Sequence, residues 1–330
     1  MLIVGEVHTG LLRNRGELSD AQCREALCLV SGEQVRTSLR PLPHAISPEV
    51  LAGVDCRLPS LSGARIRATG TVTHRAAITG GRILQGSSYA VIVRAERDYR
   101  MPWSHYLARP GQVEVQGRPR WRDMADGFMA SELALDILDF GAISGRLMNR
   151  VQDSPRLDRK TPFKTTRTRL RWVMERGKAE EEEGLPPVRL TLWNGMLRTL
   201  RLTGEPDTRI VAFCEDLALH DWLLTTLQTL IERALIGTAA PTQIAAKLSP
   251  AIDHLLHLWM PGARMDDSFQ PLWEELERHP GFSRQWKSSV ERIRDQVAVN
   301  TLSLLSVMAE SRREADGDPI SSRVTPPDGT

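Results

Sequence analysis

The chain has 330 residues, 41% of them hydrophobic and 25% charged, with a formal net charge of +2, and this average globular composition needs no disulfide or metal to fold. Its four cysteines include no Cys-x-x-Cys pair, which excludes a disulfide framework and a zinc ribbon. The N-terminus has no basic start, and no stretch approaches the ~20 apolar residues of a membrane span, so we expect a cytoplasmic protein without a signal peptide or membrane insertion.

The first part of the chain is predicted to be rich in β-strands. Residues 2–12 and 33–39 are predicted strands. Between them, Ser19-Asp20-Ala21-Gln22 forms a capping box, which predicts the start of a helix. We assign residues 1–122 to a β-rich domain.

Residues 54–93 are rich in Gly, Thr, Val and Ile, which predicts several further strands. Apolar residues recur there every six positions, from Ile66 to Ala90. The strands therefore form either an antiparallel meander, with a turn at Thr79-Gly80-Gly81, or a short parallel β-helix.

A second group of strands is predicted after a helical connector at residues 123–158. Thr166–Val173 alternates as a strand does, with Arg167, Arg169 and Arg171 on one face and Thr168, Leu170 and Trp172 on the other. Two β-prone runs flank Asn194-Gly195, a pair that favours a type I′ hairpin. Ile210–Phe213 is predicted as a fourth strand of this small antiparallel sheet.

The rest of the chain is predicted to be helical. We assign residues 159–311 to an α+β domain and residues 312–330, rich in Asp, Gly, Ser and Pro, to a disordered tail. The helices are expected at 216–236, at 244–259 with a break at Pro250, at 271–279, and after Gly281. The last helix is long and carries the apolar residues Trp286, Val290, Ile293, Val297, Leu304 and Met308.

The most basic stretch is residues 156–178, with nine Lys or Arg against two acidic residues, a net of +7. Alternation places arginines on one face of its strand and Trp172 on the other, so this tryptophan is expected in a core. The arginine face suits a phosphate backbone, whereas the four glutamates at 180–183 are close enough to screen it. The candidate contacts for an anion or a nucleic acid are Arg159, Lys160, Lys164, Arg167, Arg169 and Arg171.

Other motifs do not combine into a catalytic or metal site. There is no phosphate-binding Gly-rich loop, dinucleotide motif or nucleophile elbow. Arg100 and His105 have the spacing of some helix-borne ribonucleases, but a proline between them disfavours the helix. Asp253, His254 and His257 share one face of a predicted helix and have a spacing that could bind one metal ion. A solvated polar surface is the simpler interpretation of the three residues. We predict no catalytic residue, no metal and no cofactor.

Four strings of residues carry a resemblance to a known family. They are Gly5-Glu6-Val7, Ser47-Pro48-Glu49-Val50-Leu51-Ala52-Gly53-Val54-Asp55-Cys56, Leu84-Gln85-Gly86-Ser87-Ser88 and Pro102-Trp103-Ser104-His105-Tyr106-Leu107-Ala108-Arg109-Pro110-Gly111. Together they resemble an uncharacterised family of actinobacterial proteins typified in Streptomyces, most closely over residues 1–115. The family has no assigned activity, so the resemblance implies no catalytic residue. It implies membership of a small multi-protein system with a ParA-like ATPase as a partner.

The predicted fold class of the chain is α+β. Three functions are compatible with these observations. A non-enzymatic adaptor or scaffold that binds other proteins of its own system is the leading hypothesis, because no residues identify a catalytic site. A nucleic-acid-binding component that uses the basic stripe at 159–171 is the second. The third is an enzyme whose site is assembled from residues distant in sequence.

Overall fold

The structure, a computed structural model, describes residues 1–118, 120–130, 137–176, 188–193, 196–234 and 240–316. Within these residues the fold is α+β, with one mixed sheet in the N-terminal two-thirds of the chain and a helical region after it. The predicted Asn194-Gly195 turn and the predicted tail from residue 317 onward lie outside the described residues.

The sheet has ten strands among the described residues. They are β1 (Leu2–Leu11), β2 (Arg36–Ser38), β3 (His44–Ile46), β4 (Val50–Leu58), β5 (Ile66–Thr79), β6 (Ile83–Arg94), β7 (Gln112–Val115), β8 (Thr168–Glu175), β9 (Val188–Trp193) and β10 (Leu197–Thr203). Their order is β2-β3-β5-β7-β6-β1-β8-β10-β9, and β4 pairs with β5 beside this path. β1 therefore lies near the centre of the sheet.

Helices cover both faces of the sheet. Those described are α1 (Asp20–Leu27), α2 (Trp103–Leu107), α3 (Trp121–Met129), α4 (Phe140–Gln152), α5 (Ile210–Ala234), α6 (Pro241–His254), α7 (Gln270–Arg278) and α8 (Phe282–Asp316). The predicted capping box is confirmed at α1, where the backbone amides of Ser19 and Gln22 each donate to the side chain of the other.

The alternation of side chains along β1 defines the two faces. Ile3 and Val7 belong to the core that α5 and the C-terminal helices cover. Leu2 and Val4 belong to a second core beneath α3 and the start of α4. β1 is therefore buried on both faces, and even its charged residue Glu6 is 0% exposed.

Residues 50–94 form the antiparallel meander and not the β-helix. β4, β5 and β6 pair antiparallel in sequence order. The turn between β5 and β6 contains Gly80 and Gly81, whose φ angles of 55° and 57° are left-handed values that favour glycine. β5 and β6 separate beyond Thr73 and Tyr89, and β7 enters between them.

The strands after residue 167 do not form a separate small antiparallel sheet, as the sequence pattern predicts. β9 and β10 do form the expected hairpin. However, β10 is parallel to β8, and β8 pairs antiparallel with β1, so all these strands extend the N-terminal sheet. Local alternation identifies a strand but carries no information about which distant strand it pairs with.

The predicted strand at Ile210–Phe213 is the first turn of α5 instead. The buried residues Ile210, Phe213, Cys214 and Leu217 are spaced by three and four positions, which is the helical period. A short apolar run fits a buried strand equally well, and this explains the wrong prediction. At the other end of the chain α8 continues to Asp316, so residues 312–316 are helical and not part of a disordered tail.

Candidate functional site

Helix α8 packs against the body of the protein along its first half. Phe282, Trp286 and Ile293 are buried there, and the Trp286 ring stacks on Trp259 with centroids 4.3 Å apart. Further along, the side-chain amide of Asn300 donates to the carbonyl of Pro241 at the start of α6, over 3.2 Å. After Asn300 the described side chains up to residue 312 are exposed, with Ser303 only partly covered.

From residue 297 to residue 308 the helix exposes a run of apolar side chains, which we call the apolar segment. Each of them keeps 40–68% of its surface exposed. The sequence carries no charged residue from Gln296 to Ala309. The seven exposed apolar residues are Val297, Val299, Leu302, Leu304, Leu305, Val307 and Met308.

The apolar segment presents apolar side chains around its whole circumference, with four uncharged polar residues between them. At about 100° per residue, Leu304 and Met308 continue the line of the buried Ile293, whereas Val299 and Leu302 lie on the opposite side. A helix that is hydrophobic on all sides is normally buried, and a contiguous exposed apolar patch marks an interaction surface. This segment is therefore the first candidate for a functional surface.

Sequence reasoning identified Val297, Leu304 and Met308 as apolar positions of this helix, and the structure leaves all three exposed. Periodicity shows that a helix has an apolar face but not whether anything covers that face. The signal that marks the segment is the charge-free run from 296 to 309, since a solvated helix normally carries charged residues on its outer face.

Two of the six basic candidates, Arg169 and Arg171, belong to a buried ion cluster. Arg169 Nη2 and Arg171 Nε lie 2.6 and 3.1 Å from the carboxylate of Glu6, and His8 Nε2 lies 3.1 Å from it. Burial opposes the charge on Glu6, but the His8 hydrogen bond and the two guanidinium groups outweigh it and lower the pKa of Glu6 to about 2. Arg171 is 1% exposed, so it cannot reach a phosphate backbone.

Arg159, Lys160 and Lys164 lie in the exposed loop that precedes β8. The backbone amide of Lys160 donates to Asp158 over 2.8 Å, and the carbonyl of Lys164 accepts from Arg233 over 3.2 Å. These bonds fix the backbone of the loop. The three basic residues keep the exposure that contact with a partner requires.

Arg167, the sixth candidate, joins a basic surface on α4. Its Nη1 donates to Asn149 Oδ1 over 3.0 Å, and the exposed Arg146 and Arg150 lie on either side of that asparagine in sequence. Arg13 is also close, because its backbone amide donates to the side chain of the last residue of α4 over 2.7 Å. Burial and the charge of Arg13 lower the pKa of Arg167, so like charges lie close together here.

We call Arg13, Arg146, Arg150 and Arg167 the α4 basic face. Sequence reasoning found only Arg167 of these four, because Arg13 lies far from the basic stretch and Arg146 and Arg150 lie before it, on α4. Only the packing of α4 on the sheet brings them together. The spacing of four residues between Arg146 and Arg150 indicates one helix face, but nothing in the sequence links that face to Arg13 or Arg167.

Arg100, His105 and His254, which belong to the remaining sequence motifs, each contact a different residue. His105 lies 2.7 Å from Glu114, and Arg100 lies 2.9 Å from Asp55, so the two are bound to different carboxylates. His254 packs face to face on a phenylalanine ring. In the part of the chain that the structure describes, no group of three His, Cys, Asp or Glu side chains is arranged to hold a metal ion.

No helix in the described ranges, α8 included, combines the length and the apolar character needed to cross a membrane. Comparison of the chain with protein-family models, with curated proteins and with solved structures found no match. The interpretation of the apolar segment and of the α4 basic face therefore rests on their own geometry.

Proposed function

We propose that this protein is a non-enzymatic adaptor that binds another protein of its own multi-protein system through the apolar segment of α8. The observation that supports the proposal is a set of seven exposed apolar side chains on a helical stretch without charge. Such surface is costly in water, and its burial in a complex recovers about 25 cal/mol per Å².

The partner is expected to present an apolar groove that encloses the segment. A flat surface or a single second helix covers one side of α8 and leaves Val299 and Leu302, or Leu304 and Met308, in water. A groove encloses most of the circumference, as in other helix-in-groove complexes. The segment is ~18 Å long at 1.5 Å per residue, so the groove needs a similar length and an uncharged floor.

The partner is sought among proteins of the same system, and the resemblance described above makes a ParA-like ATPase the first candidate. Apolar contacts are screened little by salt, in contrast to exposed charge pairs. Binding through the apolar segment should therefore survive high ionic strength. Binding through the basic residues should not.

Photo-crosslinking from the centre of the segment identifies the partner. A photoreactive amino acid is placed at Leu305, which is exposed, and for comparison at Arg278 on α7, which is also exposed. We expect one protein to crosslink from position 305 and not from position 278. That protein, once purified, should bind the wild-type chain with 1:1 stoichiometry in titration calorimetry.

The double substitution Leu302→Glu/Leu305→Glu should weaken binding of this purified partner by about 100-fold or more, since each buried leucine contributes ~1.5–3 kcal/mol. Both side chains are exposed in the free protein, so the free energy of unfolding should change by less than about 0.5 kcal/mol. Calorimetry measures the first quantity and urea denaturation the second.

The matched control is Arg292→Glu/Arg294→Glu, which changes exposed residues of the same helix before the segment. This variant should bind the partner as the wild type does. The adaptor proposal fails if both double variants bind equally well. It also fails if sedimentation shows that wild-type chains bury the segment by pairing with each other.

We propose nucleic-acid binding as a second candidate function, located on the α4 basic face. The observation that favours it is the crowding of Arg13 and Arg167, since a bound phosphate relieves the repulsion between like charges. The proposed surface thus keeps Arg167 from the predicted stripe. It replaces the buried Arg171 with arginines from α4.

In a gel-shift assay, Arg146→Glu/Arg150→Glu should weaken binding to duplex DNA by more than about tenfold and lower the slope of log affinity against log salt by about 2. The control is Arg278→Glu/Arg292→Glu, which removes two exposed arginines outside the α4 basic face. If the wild-type protein retards neither DNA nor RNA at low salt, this second candidate is eliminated.

A further inference from the structure

A cleft of about 560 Å³ lies between the sheet and the start of α5. Arg75 of β5, Tyr89 of β6 and Arg264 from the connection between α6 and α7 line it. Glu49, the residue before β4, lines it as well, and its side chain is 43% exposed. The volume is within the range of small-molecule sites.

The base of the cleft is an ion cluster around Glu215 of α5. The Arg75 guanidinium binds both carboxylate oxygens of Glu215, at 2.8 Å from Nε and 3.0 Å from Nη2. Arg264 Nη2 donates to the same carboxylate over 3.0 Å. Burial opposes the charge on Glu215, but the two arginines outweigh it and lower the pKa of Glu215. Two positive charges thus face one negative charge.

A single oxygen atom of Glu49 collects two donors at the wall of this cleft. Arg75 Nη1 and Tyr89 Oη each donate to Glu49 Oε1 over 3.0 Å. Arg75 and Tyr89 are held by their strands and are 11% and 8% exposed. Glu49 is much more exposed and precedes its strand, so it is the member of the group that can move away.

Arg264 is held rigidly at the cleft. Its side chain is 2% exposed and fixed by Gln85, which accepts from Nη1 over 2.7 Å. Its buried Nε has no hydrogen-bond partner among the described residues. Arg264 therefore supplies a fixed positive charge beside that of Arg75.

We propose that the cleft binds a small molecule through one carboxylate group, which replaces the carboxylate of Glu49 between Arg75 Nη1 and Tyr89 Oη. Glu49 then acts as an internal competitor that fills the empty site. This proposal is independent of the adaptor function, because the cleft and the apolar segment of α8 share no residue.

The charges around the cleft favour a monocarboxylate over a larger anion. The Arg75, Arg264 and Glu215 group has a net charge of +1, which one carboxylate neutralises. On the rim, Arg209 pairs with both Asp207 and Asp266, so one positive charge faces two negative charges there. The rest of the ligand is therefore expected to be uncharged or cationic.

Fluorine NMR with the smallest carboxylate tests the proposal. The chain has three tyrosines, Tyr89, Tyr99 and Tyr106, so labelling with 3-fluorotyrosine yields three resonances, and Tyr89→Phe assigns the first. The probes are sodium acetate, acetamide as the uncharged analogue and inorganic phosphate, at ionic strength matched with sodium chloride. They are titrated into wild type, Glu49→Ala and Glu25→Ala. Glu25 is also a partly exposed, ion-paired glutamate, but it lies on α1.

In Glu49→Ala, acetate should shift the Tyr89 resonance with saturation, and acetamide should not. Wild type and Glu25→Ala should bind acetate about fivefold more weakly, the ratio expected when one partly exposed ion pair competes. Unchanged Tyr99 and Tyr106 resonances show that the variant is folded; if they change, the isosteric Glu49→Gln replaces it. The absence of a saturable shift of Tyr89, or an equal shift with phosphate at the same or a lower concentration, would overturn the proposal.

Discussion

Replacement of Glu6 with glutamine is expected to lower the free energy of unfolding by about 3–5 kcal/mol, the cost of leaving one partner of a buried ion pair without the other. Glutamine keeps the size of the side chain but removes the charge that Arg169 and Arg171 bind. Among the described residues, Arg171 then has only uncharged acceptors, namely the glutamine oxygen and the carbonyl oxygens of Phe128 and Ala130, the last two at 3.2 and 2.8 Å. Urea denaturation of both proteins at neutral pH measures the difference.

The same carboxylate should make the protein sensitive to acid. The pKa of Glu6 is about 2 in the folded protein, against an ordinary value of 4.5. Because the folded pKa is the lower one, the stabilisation is complete above about pH 4.5 and is lost as the pH falls towards 2; the difference corresponds to about 3 kcal/mol. Glu6→Gln should therefore lose less stability than the wild type between about pH 5 and pH 2.

Two further variants separate the buried charge from other causes. Glu25→Gln breaks an exposed ion pair with Arg156 and should cost less than about 1 kcal/mol. Glu6→Gln/Arg171→Met removes both charges and should recover much of the stability that Glu6→Gln loses. If the double variant is no more stable than the single one, an unpaired buried arginine is not the cause of the loss.

Gly5→Ala is the second substitution with a large expected effect, a loss of about 3 kcal/mol through overpacking. A Cβ atom on Gly5 would lie 2.5 Å from Trp172 Cζ2 and 2.7 Å from the carbonyl oxygen of Ser88. These atoms belong to β8 and β6, the strands on either side of β1. Because both neighbours are hydrogen-bonded to β1, neither can move away without loss of pairing.

Gly16→Ala provides the matched control, since a Cβ there meets nothing within 4 Å. Its free energy of unfolding should stay within about 0.5 kcal/mol of the wild type. In a Trp172→Phe background the ring is smaller, so Gly5→Ala should cost about 1 kcal/mol less than it does with Trp172. Equal costs in the two backgrounds would show that the tryptophan ring is not what excludes a side chain at position 5.

Much of the local structure could be predicted because it is encoded in short patterns. The capping box of α1, the Gly80-Gly81 turn and the β9–β10 hairpin are all set by neighbouring residues. The pairing of distant strands could not be predicted. β1 and β8 are more than 150 residues apart, and neither sequence contains a feature that identifies the other strand as its partner. The prediction of a separate second sheet was wrong for this reason.

The candidate sites were predictable only in part. Alternation correctly placed Trp172 in the core, and it is 0% exposed. The same alternation gave the arginines a solvent-facing side, whereas that side of β8 carries Arg171 onto the buried Glu6, which is 165 residues away in sequence. Electrostatic pairs of this kind depend on tertiary contacts. The cleft above Glu215 depends on tertiary contacts as well, since it joins residues of β5, β6 and two C-terminal segments.

The central position of β1 also sets the order in which the sheet can be completed. Residues 2–9 cannot close their second edge until residues 168–175 exist and have folded against them. In a nascent chain the middle of the future sheet is therefore an open edge, which invites wrong pairing, until more than half of the protein has been synthesised. β1 is therefore paired on both edges only late in folding, although it lies near the centre of the sheet. Closure of the long loop between β1 and β8, and not formation of the hairpins, is expected to limit the rate of folding.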